Sequence, residues 1–146
     1  MKKIIFILII ILLLSFNSNS QEDKMNQESE YGILFSIDKG VYQAGETITM
    51  KIMVFNFSAE TIYFHFNSSQ RYDFLIEDME GKLIWQWSED KMFAMVLGEE
   101  KLNVNHPELI YQESYDKEIE PGHYRIKGVF TAKNYPMSAE MVFQVK

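Results

Sequence analysis

The sequence contains no cysteine. That single absence excludes a disulfide framework, a thiolate metal site, a cysteine nucleophile and a lipid-modified N-terminal cysteine, so folding must rest on an apolar core. Positive charge is in deficit: 14 Lys+Arg stand against 21 Asp+Glu, for a net charge of −7, and the bases are scattered. Without a basic patch there is no footprint for phosphate backbones, and nucleic acid is excluded as a partner. Only one long hydrophobic run occurs, Ile4 to Phe16. At about 1.5 Å per residue such a run reaches roughly 20 Å as a helix, short of the roughly 30 Å of a bilayer core, so no stable membrane span is expected. A chain of 146 residues leaves room for one ordinary domain.

The apolar run follows Met1-Lys2-Lys3 and precedes Asn17-Ser18-Asn19-Ser20. That order reads as a secretory signal peptide over residues 1–20 with the cut before Gln21, the alternative being an uncleaved anchor. Cleavage would remove Lys2 and Lys3 and no acid, taking the net charge from −7 to −9. An export signal implies a periplasmic, cell-envelope or extracellular protein, and the Lys/Ile/Asn-rich usage suggests a bacterial source. Residues 21–30, QEDKMNQESE, hold one apolar side chain and read as a solvated tether. On that source, the glycosylation-like tripeptides Asn56-Phe57-Ser58 and Asn67-Ser68-Ser69 are chance matches.

From residue 31 onward one domain is expected. Apolar residues recur at every second position in short segments broken by Gly, Pro, Asn and Ser, which is the strand signal. No amphipathic helix competes with it. Rows form at Ile33/Phe35/Ile37, Ile48/Met50/Ile52/Val54, Ile62/Phe64/Phe66, Leu109/Tyr111/Tyr115, Tyr124/Ile126/Gly128/Phe130 and Ala139/Met141/Phe143/Val145. Tyr72 to Trp87 reads as a hairpin turning at Glu80-Gly81, with Ile76 opposite Trp85 and Phe74 opposite Trp87; a one-residue slip would mix its faces. About eight strands with short connections predict an all-β, immunoglobulin-like antiparallel β-sandwich, in which Tyr124 after Pro121-Gly122 stands where a tyrosine corner belongs.

Chemistry is sparse. His65, His106 and His123 show no ligand spacing, and no metal or cofactor is expected. No strained serine elbow occurs, and Ser88 reads as a turn residue. Glu77, Asp78 and Glu80 crowd a hairpin tip, where a solvated turn explains them better than a carboxylate pair or a calcium loop. The chain is not expected to be an enzyme. Trp85 and Trp87 point the same way, as an exposed aromatic platform or as core, and Met53, Phe55 and Phe57 mark a partner surface unless a loop covers them.

The segment Tyr72-Asp73-Phe74, Asp78-Met79-Glu80-Gly81, Ile84-Trp85-Gln86-Trp87-Ser88 and the following Phe93 resembles the central signature of the intracellular proteinase inhibitor (BsuPI) family. Tyr42-Gln43-Ala44-Gly45-Glu46, Asn56-Phe57-Ser58 and Pro121-Gly122-His123-Tyr124 are similar to its flanking motifs in the same order, so the resemblance covers about residues 33 to 131. His106-Pro107-Glu108 stands where the family has Pro-Gly-Glu. The resemblance implies an immunoglobulin-like sandwich and, through the founding member, inhibition of subtilisin-type serine proteases. Tyr72, Asp73, Phe74, Asp78, Gly81, Trp85 and Tyr124 are its architectural residues, and Trp87, Ser88 and Phe93 the candidate partner contacts. Two segments, Ser88 to Phe93 and Leu97 to Pro107, are candidates for the reactive loop. The expected partner is therefore a protein, a serine protease; the other reading is an envelope interaction module without inhibitory activity. Oligomeric state is not legible.

Overall fold

A computed structural model describes residues 31–146; the signal peptide and tether expected at 1–30 lie outside the described residues. Ten strands follow one another: β1 Tyr31–Ile37, β2 Val41–Tyr42, β3 Ile48–Asn56, β4 Ile62–Phe66, β5 Tyr72–Asp78, β6 Leu83–Gln86, β7 Gly98–Leu102, β8 Glu108–Tyr115, β9 Gly122–Phe130 and β10 Met137–Val145. The eight expected strands are present, and β2 and β7 are additional. β7 corrects the reading of Leu97 to Pro107 as a loop. Its inward positions are Gly98, Glu100 and Leu102, so only one apolar residue betrays the period.

One sheet has the order β1-β3-β8, the other β2-β10-β9-β5-β6, and β4 pairs with β7 in a separate ribbon. Every pairing is antiparallel except that of β2 with β10. A short early strand running parallel to the last one, beside a three-strand layer of the first, third and eighth strands, is the immunoglobulin arrangement. The fold is an all-β immunoglobulin-like sandwich.

Its core is the facing rows. Ile48, Met50, Ile52 and Val54 of β3 meet Phe74, Ile76, Ile126, Phe130, Phe143 and Val145 of the other sheet, all buried. No disulfide joins the layers. Instead the sheets come close together at Gly128, where an added Cβ would lie 2.7 Å from Ile52 Cγ1 and 2.8 Å from Phe35 Cδ2. Below it the Tyr124 hydroxyl donates to the Glu120 carbonyl at 2.8 Å, which is the tyrosine corner.

The β5–β6 hairpin keeps the expected pairing of Ile76 with Trp85 but turns one residue differently. Asp78 N–H donates to the Lys82 carbonyl (3.0 Å) and Gly81 N–H to the Asp78 carbonyl (3.1 Å), so the loop is Met79-Glu80-Gly81. Gly81 supplies the left-handed conformation at φ 87°. Glu77 then faces Leu83, and Ile84 is the extra residue of a bulge that restores register at Ile76. Asp78 is structural here: its Oδ1 accepts the N–H groups of Glu80 (3.0 Å) and Lys82 (2.8 Å).

Most of the irregular chain gathers at one pole. Register brings the start of β1 to the end of β3, and the start of β5 and of β10 to the end of β9. Tyr31 packs edge-on to Tyr135 of the β9–β10 loop at 5.0 Å, closing the two layers there. The β4–β7 ribbon caps this pole. Lys133 N–H donates to the His65 carbonyl (2.7 Å), and the buried Asn56 side chain donates to the carbonyls of Glu60 (2.8 Å) and Leu102 (3.2 Å). Asn56 Oδ1 also accepts Ser58 N–H at 2.9 Å, which is what the Asn-x-Ser pair does here.

Because Gly128 sits under Ile52 and Phe35, Gly128→Ala overpacks the sheet interface and should cost about 1–3 kcal/mol of unfolding free energy in urea denaturation. An unchanged midpoint would show that the layers have room to part.

Candidate functional site

At the ribbon pole, β6 ends beside the start of β5, and the eleven residues between β6 and β7 form the longest stretch without regular structure at that pole. Its base is a knot on Asp73. This carboxylate is buried and accepts Phe74 N–H (2.9 Å), Ser88 N–H (3.1 Å), the Gln86 amide (2.6 Å) and the Ser88 hydroxyl (2.5 Å). Four donors satisfy a charge that would otherwise be costly to bury. Ser88 is therefore an anchor, with both its N–H and its hydroxyl engaged within the fold.

Aromatic rings continue the support. Tyr72 lies against Trp87 (4.5 Å between centroids) and stacks on Tyr111 (4.6 Å), while Trp87 meets Phe93 at 5.9 Å. Trp85 meets Tyr115 edge-on at 4.9 Å. Both tryptophans are half-buried against the core, so they form no exposed platform. Phe93 is also half-buried. Met53 and Phe55 are partly covered, with the Phe55 ring lying over Gly32, whereas Phe57 projects into solvent.

Further along, the loop is pinned again. Ala94 N–H donates to Ser69 Oγ and Ser69 N–H donates to the Ala94 carbonyl, both at 2.9 Å. Arg71 secures the neighbouring ribbon: its guanidinium lies 4.3 Å over the Phe66 ring, donates to Glu100 at 2.9 Å and to the Ser68 carbonyl at 2.8 Å, and packs on Gly98.

What this scaffold presents is apolar. Met92 is 99% exposed, Leu97 86%, Met95 84%, Phe57 79% and Val104 74%, and all five lie in connections at the ribbon pole. Exposed apolar side chains concentrated on one loop pole mark an interaction surface. The exposure peaks over Met92 to Leu97, which overlaps the end of the first segment singled out from the sequence and the start of the second. Sequence reasoning included Met92 and Leu97 in its two candidate loops but passed over Met95 between them and over the run as a whole, although Met92-Phe93-Ala94-Met95-Val96-Leu97 is an apolar run with no alternation, which a half-buried strand does not produce.

The signature residues divide. Tyr72, Asp73, Phe74, Trp87, Ser88 and Phe93 meet at this loop base, while Asp78, Gly81 and Tyr124 hold the opposite pole, Asp78 pairing with Tyr124 in the sheet. Among the described residues no group of three or more His, Asp or Glu is placed to hold a metal ion. His65 instead faces Glu99 at 3.5 Å on the ribbon surface.

The family model of the intracellular proteinase inhibitor (BsuPI) matches residues 35–135, more than two-thirds of the chain. The chain belongs to the BsuPI proteinase inhibitor family. No curated protein matches it in sequence. Among solved structures, this BsuPI domain is similar to Spo0M, a sporulation control protein from Bacillus subtilis, at 9% identity over 80% of this chain and 49% of that one, with a TM-score of 0.51. It is also similar to the CARDB domain of the PF1109 protein from Pyrococcus furiosus (13% identity, 80% and 87% covered, TM-score 0.46) and to the alkylpurine DNA glycosylase AlkC from Pseudomonas fluorescens (10%, 80% and 30%, TM-score 0.48). The chain spans less than half the length of Spo0M and AlkC. The likeness to Spo0M is one of fold.

Burial pushes the Tyr111 hydroxyl up to about 12, and burial, with the hydrogen bond to Glu113 at 2.6 Å, raises Tyr72 as well. Both phenols are held neutral in the folded state, so their contribution is fully present below the ordinary tyrosine range near 10 and is lost as pH rises through their folded values. Thermal stability should therefore drop steeply from about pH 10 upward, with part of the tyrosinate absorbance at 295 nm appearing only as the protein unfolds. Full ionisation of all 8 tyrosines in the folded protein would contradict this packing.

Proposed function

We propose that this BsuPI domain is an exported, non-enzymatic inhibitor of a subtilisin-type serine protease, and that it presents the segment Met92 to Leu97 to the protease cleft. One observation carries the reading: an apolar segment outside regular structure is exposed at every residue but Phe93, yet is held at Ser88, Phe93 and Ala94. A rigid, preordered segment loses little entropy on docking, which is how standard inhibitors reach high affinity from about 800 Å² per partner. The family membership supplies the inhibitor class, and the signal-like residues 1–20 supply the export.

Purified protein should inhibit subtilisin at micromolar concentration or below, and replacing Met92, Met95 and Leu97 together by Ser should weaken inhibition by about 30-fold or more, the effect of losing hot-spot side chains, without moving the melting temperature. A folded, intact protein that leaves subtilisin untouched ends this reading. Protein recovered from the cell envelope or medium should begin at Gln21 on N-terminal sequencing.

A second reading, an envelope docking module, is favoured by the outer face of the β1-β3-β8 sheet. There Leu34, Met53 and Ile110 lie in one cross-strand row, with Leu34 and Ile110 exposed.

A further inference from the structure

Within the candidate loop the flanking anchors single out one side chain. Lys91 N–H closes a turn onto the Ser88 carbonyl at 3.1 Å, and Ser88 is tied to Asp73. One residue later, Phe93 packs toward Trp87 and Ala94 is doubly bonded to Ser69. Met92 stands between these two restraints and is 99% exposed, more than any other large apolar side chain among the described residues. Met95 to Leu97 run in a longer span between Ala94 and the start of β7 at Gly98, and each is less exposed than Met92. Lys91 is committed elsewhere: its ammonium lies 4.7 Å over the Trp87 ring and 3.4 Å from Asp90.

Resting on the inhibitor reading above, we propose that Met92 is the specificity-determining residue, filling the protease's principal side-chain pocket with the Met92–Phe93 peptide bond across its active site. An unbranched thioether suits a deep apolar pocket and has no charge for an acidic one. Hydrolysis of that bond consumes one water and leaves a carboxylate on Met92 and an amine on Phe93. Both new ends stay tied to the fold, through Ser88 on one side and through Trp87 and Ser69 on the other. The cut product therefore leaves the cleft slowly, and the protein acts as inhibitor rather than as substrate.

Met92→Lys in the full chain, purified as its host processes it, tests the assignment against Met95→Lys, with subtilisin and trypsin inhibition, melting temperature and mass-spectrometric mapping of the first cut as readouts. Met92→Lys should lose about 30-fold or more against subtilisin and gain a similar factor against trypsin, as expected for a hot-spot side chain, at unchanged melting temperature. Met95→Lys should leave the ratio nearly unchanged. A switch produced by Met95→Lys instead, or by neither variant while the wild type inhibits, overturns the assignment. If the wild type inhibits neither protease, the inhibitor reading falls and the cut map decides Met92 separately: a first cut at Met92–Phe93 under excess subtilisin supports its apical position, and a first cut at another bond overturns it.

Discussion

Two sheets with no covalent bond between them must be held by contact alone, and in this molecule Ile52 and Phe35 press closely onto Gly128. An immunoglobulin domain of antibody type secures the same neighbourhood with a disulfide packed on a tryptophan. Here the missing side chain of a glycine lets the aliphatic row of β3 come down onto the β9 backbone. Apolar burial over the facing rows then supplies stability that scales with buried area rather than with any single bond. Every polar requirement in this interior is met locally: the described residues contain no buried side-chain nitrogen or oxygen without a partner.

That interior explains why the functional pole can be irregular. Asp73 sits at the end of a strand whose other face is core, so its carboxylate can be buried only if donors come to it, and they come from the chain leaving β6. The same bonds that satisfy the charge set the direction in which the loop departs. Ser69 and Arg71, from the chain before β5, then hold the far half of the loop and the ribbon. Structure at one end of a strand thus becomes preorganisation of a surface that the strand itself does not reach. A loop held this way can expose methionines and leucine without collapsing onto the core, and exposure of that kind is useful only for contact with a partner.

Most of the fold was legible in residue order. Alternation located eight strands because nearly all turn to one face a row of apolar residues that is buried or packed against the core, and a pleated chain with one buried face has no other economical pattern. The Ile76–Trp85 pairing was legible because a slip would have put polar groups into the core. The turn was not: Asp78 closes a three-residue loop through its own side chain, and the bulge at Ile84 hides the shift. β7 was not legible either, since Gly98 and Glu100 face inward only because Arg71 packs on one and bonds the other, and Arg71 is 29 positions from Glu100 in sequence. Ser88 is a turn residue as read, but its engagement by Asp73, 15 positions away, was not legible.

Residue order by itself determined the sandwich, the signature that places the chain among proteinase inhibitors, and the pole that Tyr124 and Gly81 stabilise, because these depend on periodicity and on short-range turn chemistry. Only the tertiary structure decided which apolar residues are core and which are presented. Met50 and Met92 are the same residue type, one fully buried and the other fully exposed, and the difference lies in what the other strands bring to each. Exposure is a property of neighbours distant in sequence, and the anchors at Asp73 and Ser69 that hold Met92 in solvent act across the fold rather than along the chain.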